Sequence, residues 1–486
     1  MDADTVLKIK PALTRYLHEF DGCFGRITAR RHLDTYVQGQ LSDLERKSIE
    51  PMADAAGTPP RDLQEFLGLY HWDESAMRDR LQQLVARRHA HAHSVGVIDE
   101  TSFVKKGRKT ACVQRQHCGV VGKTENCVVS VHLGYATPEF HTLLDGELYL
   151  PEETWHADRT RCREAGIPDD VVYRPKWQIA LGQLRRARGN GLRFAWLTFD
   201  EGYGGKPPFL RALEELGQDY VGEVPVNFTA WTTRPDVLCR EPGRNPRLGR
   251  PRKLPRLKAR TRPPMEVRQI ASCSVSFRRR KWRSYHVKDG HKGPMVWKAK
   301  HIRVWLKDEA GLPTAAHHLL VAYNVLEPQT VKYFLGNAPE DTPVETLLSV
   351  AFSRWKIERM FEDGKGELGM DHFEVRQFRS IGRHLILTCV SYLFLAEFHQ
   401  AHRGGKSGPD GGPGPDGDGA SRVPLVSWGP VFPQVGRDDQ PTTGSHATTQ
   451  RQGTAQPPQA NLASIARNRA VSARSTHLPL DSFVAV

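Results

Sequence analysis

The sequence predicts an α/β protein that begins with a helical region and contains a β-rich insertion. Apolar residues recur at helical spacing over residues 1–90, and short β-rich runs then alternate with helices up to residue 227. From 228 to 345, several strand-like runs follow a basic, proline-rich stretch. We therefore expect a helical domain at 1–90, a core split between 91–227 and 346–402, the insertion at 228–345 and a disordered tail at 403–486.

Composition indicates a polyanion as partner. The 486 residues carry a formal net charge of +14, and the isoelectric point is about 9.4. The eight cysteines show no CxxC pair, which favours free thiols in a reducing cytoplasm. No signal-peptide segment and no apolar run of about 18 residues is apparent, so we expect a cytoplasmic protein without a membrane partner.

The N-terminal helices carry apolar positions such as Leu13, Leu17, Leu63 and Phe66. Residues 62–89 fit a helix-turn-helix and a plain helical bundle equally well, because no recognition helix stands out.

Two aspartates each follow an apolar run in the alternating region. Strands are predicted at 94–98, 114–121, 128–133, 192–199 and 220–226, with helices at 176–188 and 209–216. Asp99 ends the first strand and Asp200 the fourth, at strand tips where α/β sheets place ligands. Glu100 and Glu201 are the rival residues, although neighbours in a strand point to opposite faces.

The insertion combines a basic arm with aromatic residues. The arm, at 240–262, contains Arg250, Arg252 and Lys253 among many prolines. Strands are predicted at 272–277, 284–287, 295–306 and 319–325. Tryptophans lie among basic residues here, a pattern that suits nucleic acid; the alternative is that each is a core residue of a small sheet. These tryptophans are Trp282, Trp297 and Trp305.

A third acid lies on a charged helix predicted over residues 353–376. Arg354, Glu358, Glu362 and Lys365 are spaced to share one helix face, and the glycines from Gly364 onward end the helix. The alternative is a solvated helix with ion pairs, and Glu362 is the rival to Glu358. An apolar helix at 383–399 follows.

Asp99, Asp200 and Glu358 together predict a metal site. Carboxylates are the ligands that Mg²⁺ and Mn²⁺ prefer, and two such ions suit the chemistry of a phosphodiester.

With these motifs, the chain resembles the bacterial insertion-sequence transposases of the DDE type. The resemblance rests on VIDETSFVKKG around Asp99, QRQHCGVVGKTENCVVSV, LDGELYLPEETW, TFDEGYG around Asp200 and RWKIERMFEDGKGELGMDHFEVR around Glu358. One branch of this family has a β-strand insertion before the glutamate and the signature Tyr-x2-Arg-x3-Glu-x6-Lys. Arg354, Glu358 and Lys365 match it, whereas Ala351 stands at the tyrosine position.

The resemblance implies an RNase H-like core in which Asp99, Asp200 and Glu358 hold two Mg²⁺ or Mn²⁺ ions. It implies that the protein nicks transposon ends and that the freed 3′-hydroxyl attacks target DNA. Arg354 and Lys365 would contact phosphates, a tryptophan of the insertion would stack on a flipped base, and the N-terminal helices would bind the end. The implied partners are double-stranded DNA and, in the DNA complex, a second copy of the chain, and the implied location is the cytoplasm, in association with the nucleoid.

Two alternatives remain at this point. One is a metal-dependent nuclease that cuts without strand transfer, and the other is a DNA-binding repressor descended from a transposase. Intact Asp99, Asp200 and Glu358 argue against the repressor.

Overall fold

The structure is a computed structural model that describes residues 3–239, 254–290 and 293–402. The predicted tail at 403–486 and three residues of the basic arm, Arg250, Arg252 and Lys253, lie outside these ranges.

The N-terminal region is helical, as predicted. The helix ends follow local chemistry: Gly57, with φ +63°, ends the third helix, and the Asp73 carboxylate accepts hydrogen bonds from the backbone of Ser75 and Ala76 to cap the fifth. A 3-10 turn, His18–Cys23, separates the first two helices. The five helices are α1 (Ala3–Leu17), α2 (Ile27–Leu41), α3 (Ile49–Ala56), α4 (Pro60–Gly68) and α5 (Glu74–Arg88).

These helices share one hydrophobic core with the last described helix, α14 (Phe378–His402). The hydroxyl of Tyr36 lies 2.8 Å from Nδ1 of His384, and the buried guanidinium of Arg383 donates to the carbonyls of Tyr70 and Trp72. The boundary near residue 90 therefore separates two types of secondary structure that pack on a common core. Helix α14 is long and apolar enough to cross a membrane, but 72% of its apolar window is buried inside the protein, as in a core helix.

The central sheet has five strands. Strand β1 (Val95–Val104) pairs along its whole length with antiparallel β3 (Lys123–Ala136) and, over its first four residues, with parallel β5 (Trp196–Phe199). The far edge of β3 pairs with β2 (Gln114–Cys118) and with β4 (His141–Leu148).

Helices cover both faces of this sheet. On one face, α7 (Lys176–Gly189) contacts β3, and the Gln183 amide donates to the Val131 carbonyl at 2.8 Å. On the other face, α13 (Trp355–Gly366) contacts β1, β3 and β4, with Met360 lying over Gly134. Gly134 allows this close approach, because a Cβ atom there would force the Met360 thioether to shift.

The segment predicted as an insertion contributes four strands to a second five-stranded sheet, here called the insertion sheet, and β6 supplies the fifth strand and connects it to the first sheet. Its antiparallel strands are, in spatial order, β11 (Arg283–Gly290), β12 (Gly293–Lys307), β13 (Pro313–Asn324), β14 (Val331–Gly336) and β6 (Val221–Glu223). Just before β6, the Leu197 amide of β5 donates to the Asp219 carbonyl at 2.9 Å, and Tyr220 forms a parallel bridge with Leu197. The insertion sheet therefore extends from the edge of the central sheet.

Several predicted strand bounds were wrong. Residues 272–277, expected as a strand, belong to helices α10 (Val267–Cys273) and α11 (Val275–Arg278), because Glu266 and Gln269 form a capping box that starts a helix. The predicted strand at 192–199 begins only at Trp196, and β3 begins at Lys123, five residues before the strand predicted at 128–133. Strands β4 and β14 had not been predicted.

The remaining elements are short or flank the sheets. All eight cysteines are free thiols; six are buried, whereas Cys239 and Cys273 are exposed. A π turn spans Glu152–His156. The other elements are α6 (Arg159–Glu164), α8 (Glu201–Gly204), α9 (Pro207–Glu215), α12 (Val344–Phe352), β7 (Thr229–Ala230), β8 (Val237–Leu238), β9 (Arg256–Leu257) and β10 (Met265–Glu266).

Candidate active site

The parallel pairing of β1 and β5 brings Asp99 and Asp200 side by side. The last matched pair is Ile98 with Phe199, and each aspartate is the next residue of its strand. The sequence had suggested that Asp99 lies at the tip of its strand. In the structure it lies inside the strand, because β1 continues to Val104 through its pairing with β3. It lies instead where the parallel pairing stops, so that its carboxyl group is beside Asp200.

Asp99 has an environment that opposes its charge. Its side chain is 14% exposed, and burial together with the neighbouring Asp200 carboxylate raises its pKa to about 7. Its Oδ1 accepts a hydrogen bond from the Glu100 backbone at 2.8 Å, and its Oδ2 accepts one from Nη1 of Arg354 at 2.8 Å. Both of its oxygens are therefore engaged.

Asp200 starts the short helix α8. Its Oδ1 accepts hydrogen bonds from the backbone of Gly202 at 3.0 Å and of Tyr203 at 3.3 Å. Burial raises its pKa, and the Glu100 carboxylate adds to the effect. At Gly204 a Cβ atom would overlap the Glu223 carbonyl oxygen, so a glycine is needed for α8 to lie against β6.

Glu358 lies on α13, which packs on the face of the sheet that carries the Asp99 side chain. Its Oε1 accepts a hydrogen bond from Nη2 of Arg354 at 2.7 Å, and its side chain is 59% exposed. Arg354 is the residue immediately before α13, and the same guanidinium reaches Asp99. Burial opposes the Arg354 charge, but Asp99 and Glu358 outweigh it and raise its pKa. The rival acid, Glu362, is 73% exposed and pairs with Arg359 at 3.2 Å.

Lys365 lies in the last turn of α13 and reaches β1 at Thr101. Its Nζ donates to Oγ1 of Thr101 at 2.7 Å, and burial lowers its pKa. Thr101 is two residues after Asp99, so both side chains point to the same face of β1. Arg354, Glu358 and Lys365 therefore all face the Asp99 side of the strand, whereas Glu362 pairs with its own helix.

A second group of residues surrounds Glu100, and the sequence analysis had missed its partners. The Tyr203 hydroxyl donates to Oε2 of Glu100 at 3.1 Å, and the Lys176 ammonium forms an ion pair with Oε1. Tyr203 belongs to the TFDEGYG motif, which was the one available signal for it. A similar pair, Lys332 with Glu223 at 2.8 Å, joins β14 to β6.

The carboxylates fit a hard divalent cation by their chemistry. Within residues 3–239, 254–290 and 293–402, no three His, Cys, Asp or Glu side chains are close enough together to hold a metal ion. Arg354 lies between Asp99 and Glu358 and supplies a positive charge there. Asp99 and Asp200 are buried, and the Asp200 carboxylate makes the ionisation of Asp99 more costly. A divalent cation at the same place would carry two positive charges and would therefore neutralise the two carboxylates better than the single charge of Arg354 does.

The three tryptophans of the insertion have different environments. Trp282 is 39% exposed, lies edge-to-face with Tyr323 at 4.8 Å between ring centroids, and has the Lys300 ammonium 4.8 Å from its ring. Trp297, predicted to contact DNA, is only 5% exposed and packs against Phe352, so that prediction is corrected: it is a core residue of the sheet. Trp305 is half-buried, and its backbone pairs with Trp231.

Comparison with known proteins gives two matches. The model of a family described as "DDE superfamily endonuclease" matches residues 19–294, more than half of the chain. A protein of Microchaete diplosiphon, described as "Probable transposase for insertion sequence element IS701", is 31% identical over 186 residues. That alignment covers 38% of this chain and 46% of the relative, so the chain spans about half the length of the curated relative it matches. Asp99 and Asp200 fall inside the family match, and Glu358 lies beyond it.

Proposed function

Because this chain belongs to the family of DDE superfamily endonucleases, we propose that it is the transposase of a bacterial insertion sequence. It would cleave DNA at the ends of the element and join the freed 3′-hydroxyl to target DNA. The observation that carries the proposal is the meeting of Asp99 and Asp200 at the end of a parallel strand pair, opposite a helix that presents Glu358. The resemblance of the sequence motifs to insertion-sequence transposases supports the same reading.

The proposed catalytic residues are Asp99, Asp200 and Glu358, which would hold two Mg²⁺ or Mn²⁺ ions. When bound, such ions lower the pKa of an attacking water and stabilise the leaving oxygen of a phosphodiester. The protein's own contribution is to fix two of the carboxylates on neighbouring strands in a partly dry site, where their attraction for a cation is strong.

Arg354 and Lys365 are the proposed phosphate-binding residues. A guanidinium can grip a phosphate through two parallel hydrogen bonds, whereas an ammonium acts as a point charge. Both side chains lie along the Asp99 face of β1, so a DNA backbone crossing that face would meet both.

The order of the central sheet supports an RNase H-like core. Antiparallel β3 lies on one side of β1 and pairs in turn with antiparallel β4, and parallel β5 lies on the other side of β1, with the insertion entering after β6. This arrangement suits the branch of the family that carries a β-rich insertion before its catalytic glutamate.

The proposed DNA contacts outside the catalytic residues come from three places. Trp282 is the tryptophan of the insertion that is exposed enough to stack on a base, and Lys300 lies beside it. The basic arm, with Arg250, Arg252 and Lys253, would bind the backbone, and the N-terminal helices would bind the transposon end. We further propose that the protein works on double-stranded DNA in the cytoplasm, at the nucleoid, as a homodimer.

The test is a strand-transfer assay on DNA that carries the element's own ends, found as inverted repeats in the flanking genomic sequence. With Mg²⁺, the purified protein should release the element and join it to a target plasmid. Asp99→Asn and Asp200→Asn should each abolish cleavage while DNA binding, measured by gel shift, survives, because each loss removes transition-state stabilisation of several kcal/mol.

Two other outcomes would replace the proposal. Cleavage without joined products would identify a metal-dependent nuclease. DNA binding without any cleavage, in Mg²⁺ and in Mn²⁺, would identify a DNA-binding protein in which the acids are idle.

A further inference from the structure

Arg354 occupies the position between two of the three proposed metal ligands. Its Nη1 donates to Oδ2 of Asp99 at 2.8 Å and its Nη2 donates to Oε1 of Glu358 at 2.7 Å. The other oxygen of Asp99 already accepts the Glu100 amide at 2.8 Å. Each oxygen of Asp99 therefore already accepts one hydrogen bond, and a cation that binds Oδ2 must do so beside the Arg354 guanidinium.

The guanidinium and a divalent cation compete for the same oxygens. A cation cannot coordinate a metal ion, and two positive groups on one carboxylate oxygen repel each other. The Arg354 side chain is only 22% exposed, so water screens this competition less than it would on the surface. A metal ion shared by Asp99 and Glu358 requires that Arg354 first leave Asp99.

We propose that Arg354 keeps the divalent-metal site closed while the protein is free of DNA, and that a DNA phosphate opens it by drawing the guanidinium away from Asp99. The identity of the polyanion rests on the proposed function, whereas the closed state rests on the two hydrogen bonds alone. A DNA phosphodiester offers the guanidinium the same bidentate geometry as a carboxylate, and neighbouring phosphates along the backbone add further negative charge. The Lys365 ammonium on the same face of β1 adds attraction for a phosphate there.

This arrangement couples the two ligands. If DNA removes the obstacle to the metal, DNA must raise the affinity for the metal, and the metal must raise the affinity for DNA by the same factor. A phosphate-binding arginine without a closing role predicts only the small gain in metal affinity that the loss of one nearby positive charge gives, and removal of Arg359 from the same helix measures that contribution.

The experiment measures Mn²⁺ binding to the full-length, DNA-free protein by electron paramagnetic resonance of the free ion. Arg354→Ala should bind Mn²⁺ about tenfold more tightly than the wild type, a factor within the usual range of coupling between sites. Arg359→Ala is the matched control, because Arg359 lies on the same helix but pairs with Glu362 at 3.2 Å and Asp363 at 2.7 Å. Its Mn²⁺ affinity should be that of the wild type. Equal or weaker Mn²⁺ binding by Arg354→Ala would overturn the proposal.

A second measurement uses the wild type and does not depend on the folding of a variant. A short DNA duplex of arbitrary sequence should increase the Mn²⁺ affinity of the wild type severalfold, and an unchanged affinity would overturn the proposal. Arg354→Gln, which keeps most of the side-chain volume, should lose this coupling.

Failure of this inference and failure of the proposed function give different results. If the wild type joins DNA strands but Arg354→Ala binds Mn²⁺ no better, the closed state is wrong and the transposase stands. If Arg354→Ala binds Mn²⁺ more tightly but no strand transfer occurs on the element's own ends, the closed state stands and the transposase is wrong.

Discussion

The Asp99 carboxyl group is buried, and it lies beside the like charge of Asp200 and the opposite charge of Arg354. Its pKa in the folded protein is about 7, against an ordinary value of 3.8. Between these values the folded state binds more protons than the unfolded state, so stability falls as the pH rises through this window. Above about pH 7 the folded protein bears the whole cost of ionising Asp99. A pKa difference of one unit corresponds to about 1.4 kcal/mol, so this cost is at most about 4 kcal/mol of folding stability.

This environment makes a prediction for the metal-free protein. The stability of Asp99→Asn relative to the wild type should be greatest at about pH 8 and should shrink towards about pH 5, because the amide carries no charge to be buried. Urea denaturation at both pH values measures the difference. Glu362→Gln, which removes an exposed carboxylate from α13, is the control and should show no such trend. A gap between Asp99→Asn and the wild type that is the same at both pH values would contradict the assigned environment.

At the scale of residues, the sequence could predict which acids meet but not how they are held. Asp99 and Asp200 each follow an apolar run, and such runs pair in parallel, so their proximity followed from the pattern. The contact of Arg354 with Asp99 joins residues far apart in the chain and depends on how α13 lies on the sheet. The burial of Trp297, which the sequence analysis assigned to DNA, likewise depends on its packing against Phe352 of α12.

At the scale of elements, two glycines allow β5 and the helix α8 that follows it to lie close to β6. A Cβ atom at Gly222 would overlap the Phe199 ring, and one at Gly204 would overlap the backbone of Glu223. Because backbone cannot rotate away as a side chain can, Gly204 is the less tolerant of the two positions.

Gly204→Ala should therefore destabilise the protein by about 2 kcal/mol and should lower DNA cleavage, since α8 and the Asp200 cap must shift. Gly182→Ala is the matched control. Gly182 lies inside α7, where the nearest atom to a new Cβ is Nη1 of Arg174 at 3.7 Å, so the change should be neutral or stabilising by up to about 1 kcal/mol. Denaturant unfolding of the two variants would contradict this account if Gly204→Ala were as stable as Gly182→Ala.

The elements themselves were predicted unevenly. The long helices and the strands around Asp99 and Asp200 were found because their apolar periodicity is local. The full length of β1 was missed because its second half is held by antiparallel pairing with β3, and its own residues there, such as Glu100 and Thr101, are polar. Residues 272–277 were assigned to a strand because the apolar spacing of so short a run fits a strand and a helix equally well. In the structure, the capping box formed by Glu266 and Gln269 starts helix α10 there.

At the scale of the whole molecule, the described residues form a continuous structure from the N-terminal helices to the insertion sheet. Helix α14 packs against α1, α2, α4 and α5 and also against β4, and β6 links the central sheet to the insertion. The shared packing of α14 with the N-terminal helices could not be predicted from local periodicity.

The net charge of +14 leads to a prediction for DNA binding as a whole. Phosphate contacts release counterions, so the logarithm of the affinity should fall linearly with the logarithm of the salt concentration, by roughly 0.9 for each contact. Replacing Arg250, Arg252, Lys253 and Arg256 with alanine should reduce that slope by up to about 3.6. Replacing Arg78, whose guanidinium pairs with the buried Asp145, should leave the slope unchanged. An unaltered slope in the fourfold variant would mean that the basic arm does not touch DNA.

The most direct measurement of the central claim is DNA cleavage by Glu358→Gln compared with Glu362→Gln. The two glutamates lie one turn apart on α13, but Glu358 shares Arg354 with Asp99, whereas Glu362 pairs with Arg359. In Mg²⁺ or Mn²⁺, Glu358→Gln should bind DNA and fail to cleave it, and Glu362→Gln should cleave at the wild-type rate. Full cleavage by Glu358→Gln, with the loss of cleavage by Glu362→Gln instead, would contradict the assignment of Glu358 as the third catalytic acid beside Asp99 and Asp200.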